Sequence, residues 1–308
     1  MKTVLKKKEF IGKERPMEEK KVPFWQNRKV VPYLYVAPNM ILFLCFMIIP
    51  LFMSFYYSLV KWNGLGDPQF IGFDNYTYIF KDKVFLQSLG NTFIYAFATV
   101  PILMILAIFF AILLNSKIPF RGFIRSAIYM PAVVSTVVVG TVFTWIFHDQ
   151  LGLINYVLNI FGRESIKWAT DTRFAMLMVV LTTFWQRTGY NMVIYLAGLQ
   201  SISHEVMEAA TIDGANSWQK FRYVTMPLLR NTHVFVMVTA LIHAFRNFDL
   251  IYTMTKGGPL NATKTIVMYV YEQAFNKNYY GRASAAGVVL FVMMMVFTII
   301  RFRAQKEN

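Results

Sequence analysis

Two sets of residues could do chemistry in this chain. The first interrupts apolar runs. Trp185-Gln186-Arg187-Thr188-Gly189-Tyr190-Asn191 lies at the centre of one, and His243, Arg246, Asn247 and Asp249 lie toward the end of another. Amide, imidazole and guanidinium groups offer hydrogen bonds and charge, while indole and phenol rings offer flat faces. That mixture suits recognition of a polar solute more than the making or breaking of bonds. The second set is Glu208-Ala209-Ala210-Thr211-Ile212-Asp213-Gly214-Ala215, in a polar stretch between two long apolar segments. Ser203 is placed to cap a helix starting at His204 or Glu205. Glu205 and Glu208 then sit near its N-terminus, where the helix dipole favours acids. Ala209 and Ala210 let another surface come close, and Gly214 supplies the dihedrals of a turn. Ser217 is expected to cap a second helix through Trp218, Phe221 and Val224, ended by Pro227. Two short helices presenting small and acidic residues form a knob for a groove on a partner. The alternative is an amphipathic loop lying on lipid headgroups.

Catalysis finds no support. Neither a Ser/His/Asp nor a Cys/His arrangement stands out, and no G-x-x-x-x-G-K-[ST] phosphate loop is present. His148, His204, His233 and His243 lack metal-ligand spacing. Cys45 is the single cysteine and lies within an apolar run, so there is no disulfide framework. The expectation is no catalytic residue, no metal site and no cofactor held by this chain.

The elements that must position these residues are membrane helices. Of 308 residues, 56% are hydrophobic and 15% charged. Six apolar runs, at 33–60, 91–114, 127–147, 174–200, 228–250 and 283–300, approach or exceed the roughly 20 residues that span a bilayer. Backbone in lipid must satisfy its own hydrogen bonds, so the fold is expected to be all-α, polytopic, with six transmembrane helices. No small-residue cleavage site follows the basic start, so the first run reads as an anchor, not a signal peptide. The net charge of +15 is unevenly placed. Lys and Arg number 19 across residues 1–29, 115–126, 201–230 and 301–308, against 10 across the longer stretches 61–90, 148–173 and 251–282. The positive-inside rule then places both termini in the cytoplasm and leaves no need for a nucleic-acid partner. The organisation is a basic tail 1–32, a six-helix domain 33–300 with the helix-turn-helix loop 203–227, and a short tail 301–308. Trp168 suits the membrane interface, and Thr265–Phe275 has the spacing of a short surface helix. Pro50, Pro101 and Pro131 fall within spans, where they can kink helices.

A charge at the bilayer centre costs about 2.5–3.5 kcal/mol even on the insertion scale, so Arg187 should not face lipid. Two readings fit it: an arginine paired inside the bundle as packing glue, or part of a polar path for a substrate. All 16 acidic residues lie in tails, loops or at a span edge, which argues against an ion-coupled secondary transporter.

The run Glu208-Ala209-Ala210-x-x-Asp213-Gly214-Ala215-x5-Phe221-x-x-Val224-x-x-Pro227 resembles the "EAA" loop of binding-protein-dependent ABC importer permeases. Met226 stands where that family often has leucine, and Asn231 where a second proline is common. From residue 33 onward the resemblance extends to Phe70-Ile71-Gly72-Phe73-Asp74-Asn75-Tyr76, Gly152-Leu153-Ile154-Asn155 and Phe248-Asp249-Leu250-Ile251-Tyr252…Gly257-Gly258-Pro259. These look like the carbohydrate-uptake branch, in particular the larger permease subunit of maltose, glycerol-phosphate and lactose systems. The resemblance implies a bacterial or archaeal cytoplasmic-membrane location and a second, non-identical permease subunit. It also implies an ABC ATPase dimer that binds ATP and Mg in this chain's stead, and an external sugar-binding protein. It implies that Glu205, Glu208, Ala209, Ala210, Asp213, Gly214 and Ala215 seat in the ATPase. By comparison with relatives, Trp185, Tyr190 and Asn247 stand where sugar is held. Arg187, Asn191 and His243 join them by their polarity within the same spans. The loop alone also fits a permease for a non-sugar substrate.

Overall fold

A computed structural model describes residues 31–116 and 118–306. Residues 1–30, most of the expected basic tail, lie outside the described residues, as do Lys117 and the last two residues. The described chain divides after Met53 into two units. The first holds most of helix α1 (Val31–Ser58), which contains a π-helical turn at Leu44–Ile48. That turn precedes Pro50, which has no N–H to donate back along the ladder.

The second unit begins at Ser54. A two-stranded antiparallel ladder, β1 (Val60–Lys61) with β2 (Gln69–Phe70), follows the end of α1. This small ladder is a departure from an all-α chain. Its supporting turn is held by buried Asn75 in α2 (Asp74–Lys81), whose Nδ2 donates to the carbonyls of Ser58 and Val60 at 2.9 and 2.8 Å. Asp82 then caps the 33-residue α3 (Lys83–Asn115), accepting from the Val84 N–H at 2.9 Å. Pro101 sits inside α3 without breaking it.

The expected span 127–147 is two helices, α4 (Arg121–Val133) and α5 (Thr136–Ile146), bent by 99°. Pro131 and the extended Val134 end the first. After α6 (Leu153–Ile160) comes α7 (Thr172–Gln200), capped by Asp171. The loop between α5 and α7 is built around Asn155, which is fully buried. Its Nδ2 donates to the carbonyls of Asp149 and Ile166, both at 2.8 Å. Its Oδ1 accepts from the Ile166 N–H and the Trp168 indole. Trp168 is therefore buried between Phe147 and Phe174 rather than at an interface, because its N–H has a partner inside. Asn155→Ala leaves four groups without that partner and should destabilise the protein by about 2 kcal/mol, read as a lowered thermal midpoint. An unchanged midpoint would show that water replaces the amide at no cost.

Loop 201–227 forms two helices, α8 (His204–Ile212) and α9 (Ser217–Leu228). A bend of 68° at Leu229 leads into α10 (Arg230–Phe245), and the expected span 228–250 stops there. Helix resumes only at α11 (Asp249–Thr255). The Gly257-Gly258-Pro259 turn follows, pinned to α3 where Asn91 Nδ2 donates to the Asn261 and Lys264 carbonyls. The expected surface helix is present as α12 (Ile266–Tyr271), continued by a π turn to Asn276. It is mostly buried on one side and anchored by Tyr269, whose hydroxyl donates to Asp82 at 2.8 Å. Burial, and then the neighbouring Asp82 carboxylate, push the Tyr269 phenol well above its ordinary range. Helix α13 (Tyr280–Lys306) closes the chain and runs through most of the expected C-terminal tail.

Among the described residues, three helices are long and apolar enough to cross a membrane: α1, α3 and Tyr280–Arg301 of α13. Counting each bent pair, α4 with α5 and α9 with α10, as one span gives up to five. Helix α7 has the length, 29 residues, but its polar centre keeps it below the apolarity of those three. It packs along α3, is crossed by α4, and is flanked by α10, which also lies on α3. Two apolar clusters fill this arrangement. One joins Tyr95, Leu103, Val180, Ala240 and Phe245, and the other Ala107, Met192, Leu196, Leu199 and Val236.

Candidate functional site

Along α7 one apolar cluster ends at Val180 and the other begins at Met192. The polar residues lie between. Positions 183, 187 and 190 recur at helical spacing and share one face. Thr183, Arg187, Tyr190 and Asn191 line an open cavity of about 240 Å³ with Tyr95 and Thr99 from α3. His243 enters from the last turn of α10. The break after Phe245 delivers Arg246, Asn247, Phe248 and Asp249, which a continuous helix would have spread around its circumference.

Hydrogen bonds fix this wall. The Tyr95 hydroxyl is 2.8 Å from Thr183 Oγ1 and accepts from Asn247 Nδ2 at 2.6 Å, tying α3, α7 and the break together. Asn191 Nδ2 donates to the Arg187 carbonyl, and Gln186 Nε2 reaches the Val134 carbonyl and Thr136 Oγ1 across the α4/α5 bend. A carbonyl freed by that bend thus finds a donor on α7. Away from water these bonds are stronger than at a wet surface.

Five of the six residues expected along a polar path therefore come together: Arg187, Tyr190, Asn191, His243 and Asn247. Trp185 does not line the cavity. It is 46% exposed and packs against Phe143, with ring centroids 5.0 Å apart. Tyr95 and Thr183 went unnoticed in the sequence, since single Tyr or Thr residues in apolar runs read as packing. The spacing of 183, 187 and 190 was the available signal.

The knob is the second arrangement. Ser203 Oγ accepts from the Val206 N–H at the start of α8. Glu205, Glu208, Ala209 and Asp213 are exposed, while Ala210 and Ala215 are half-buried. Gly214 turns the chain at φ +78°. Asn216, rather than Ser217, caps α9: its Oδ1 accepts from the Gln219 N–H while Gln219 Oε1 accepts from the Asn216 N–H. The two helices are braced where Lys220 Nζ donates to Thr211 Oγ1 at 2.9 Å. Pro227 does not end the second helix. A π-helical stretch, Lys220–Thr225, widens the ladder before it, and helix persists to Leu228. Among the described residues, no group of His, Cys, Asp and Glu could hold a metal.

Helices of membrane-spanning length and apolarity, a polar cavity walled by α3, α7 and α10, and an exposed two-helix knob between the last two define a membrane transport protein. The chain belongs to the binding-protein-dependent transport system inner membrane component family, whose description matches residues 77–306. It is 35% identical to the arabinooligosaccharides transport system permease protein AraP of Bacillus subtilis (strain 168), over 90% of this chain and 89% of that protein. It is 34% identical to the lactose transport system permease protein LacF of Rhizobium radiobacter, over 90% of this chain and 94% of that protein. Its fold is similar to a chain in the crystal structure of a bacterial ABC transporter that imports the acidic polysaccharide alginate. That match has a TM-score of 0.80 at 22% identity, covering 91% of this chain and 96% of the other. As an ABC importer permease, the chain is not itself the enzyme; ATP hydrolysis belongs to a separate ATPase.

Proposed function

We propose that this chain is one of two non-identical permease subunits of an ATP-driven sugar importer. The observation that carries this reading is the polar cavity, walled by helices that run directly into an exposed knob. The oligosaccharide and lactose systems of the relatives support a sugar as the cargo. In this reading α7 is a full span despite its polar centre, because that centre faces the cavity instead of lipid. Six spans then place both termini and the knob in the cytoplasm. An ATPase dimer, holding ATP and Mg, receives the exposed face from Glu205 to Ala215. A loaded binding protein docks on the opposite side, at 61–90, 148–173 and 251–282. ATP closes the ATPase pair, the knob moves with it, and the cavity turns from one side of the membrane to the other. The nucleotide must bind the two states differently for this to happen.

The test is reconstitution. The chain, co-purified with its permease and ATPase partners, is placed in liposomes with its binding protein and labelled short oligosaccharides. Uptake should require ATP and the binding protein. Uptake by this chain alone without ATP, or none with every component present, would sink the proposal.

A further inference from the structure

We infer that the solute of this cavity is an anion, a sugar bearing a carboxylate or phosphate held between Arg187 and Arg246. The inference rests on the cavity being the solute path. Several other cations among the described residues have partners. Arg173 pairs with Asp171, Lys264 with Glu272, and Arg282 lies between the Tyr78 and Tyr279 rings, 3.5 and 4.4 Å from their centroids. Among the described residues, no hydrogen bond or ion pair engages the guanidinium of Arg187 or of Arg246. Both line the cavity, and both act electrostatically on His243 beside them. Asp249 shares the wall but is not within ion-pair distance of either arginine.

Two fixed positive charges thus face one negative charge inside a membrane protein. Arg246 gains from its place at the C-terminal end of α10, where free carbonyls favour a cation. Arg187 has no such support. It lies mid-helix, half-buried, five residues beyond Thr182. An unpaired guanidinium there is expensive unless an anion completes it, and its planar fork suits a carboxylate or phosphate. Tyr190 and Asn247 beside it supply a ring face and an amide for sugar hydroxyls. The other possible owner of these charges is a carboxylate on the second permease subunit.

The complete transporter, without binding protein, is titrated with two matched pairs: a glucuronic-acid trisaccharide with its methyl ester, and glucose 6-phosphate with glucose. One charged member should bind roughly ten-fold tighter than its neutral mate, the scale of a charge-assisted hydrogen bond. Arg187→Gln and Arg246→Gln should each remove that preference, Arg187→Lys should keep part of it, and added salt should weaken it. Equal binding within both pairs, or a preference that survives both glutamine variants, overturns the inference. So does loss of the second permease subunit from Arg187→Gln on size-exclusion, since the charge then belongs to that subunit. ATP-driven uptake of a neutral oligosaccharide on the same preparation reports separately on the importer. If it persists while the charged pairs show no preference, only the anion falls.

Discussion

Alanine at Gly189 should leave the chain unable to assemble its bundle, with a loss of roughly 3 kcal/mol or more in stability. A Cβ at this position would collide with the Ile128 carbonyl oxygen, and would lie 2.7 Å from the Ile128 carbonyl carbon and the Tyr129 Cα. All three are backbone atoms, so no rotamer change relieves the clash. The crossing of α4 over α7 must open, and the opening lies beside Gln186, Arg187 and Tyr190. Overpacking typically costs about 1–3 kcal/mol where side chains can yield; here they cannot. Fluorescence-detected size-exclusion after a heating series reads the effect. Gly287→Ala in α13 is the control, since nothing lies within 4 Å of its added carbon. Equal melting of the two variants would mean that the helices cross more loosely than described.

Tryptophan at Gly214 should do the opposite, sparing the fold and abolishing transport. Nothing lies within 4 Å of a carbon added there. The φ of +78° makes a side chain cost only about 1–2 kcal/mol. The protein should reach the membrane in normal amounts. In the assembled importer the indole would stand between the knob and its ATPase, and ATP-driven uptake should fall at least ten-fold. Gly214→Asn, which tolerates a left-handed backbone, should retain most of the activity. Uptake within two-fold of wild type in the tryptophan variant would remove the knob from the coupling path.

The contrast between these glycines shows what was legible in the sequence. Gly214 announced itself, since a glycine between a capped helix and an amphipathic one has a turn as its local explanation. Gly189 did not, because its reason is a helix about sixty residues earlier in the chain. The cavity was half legible. Arg187, Tyr190 and Asn191 stood out as polar groups in an apolar run, and the break at Arg246–Phe248 collected His243 and Asn247 beside them. Trp185 was grouped with them by comparison with relatives. At about 100° per residue it points away from the face shared by 183, 187 and 190. Pro131 marked the run 127–147 as one that can kink, but no residue there announced that the extended Val134 would turn the chain through 99°. Ser217 and Asn216 are equally good caps on paper, and the side chain of Gln219 decides for Asn216. The misplaced end at Pro227 has the same character, as a π turn is a change of ladder that residue types do not announce.

Helix α10 is interrupted at both ends, by the bend at Leu229 and by the break after Phe245. It is thus a connecting rod with a joint at each end. One joint meets the helix of the knob, and the other carries Arg246 and Asn247. Its 16 residues span about 24 Å. If a partner displaces the knob as proposed, the movement need not travel through the whole bundle to reach the cavity; a single stiff segment would deliver it. The Asn247 bond to Tyr95 would be among the first contacts to feel the stroke.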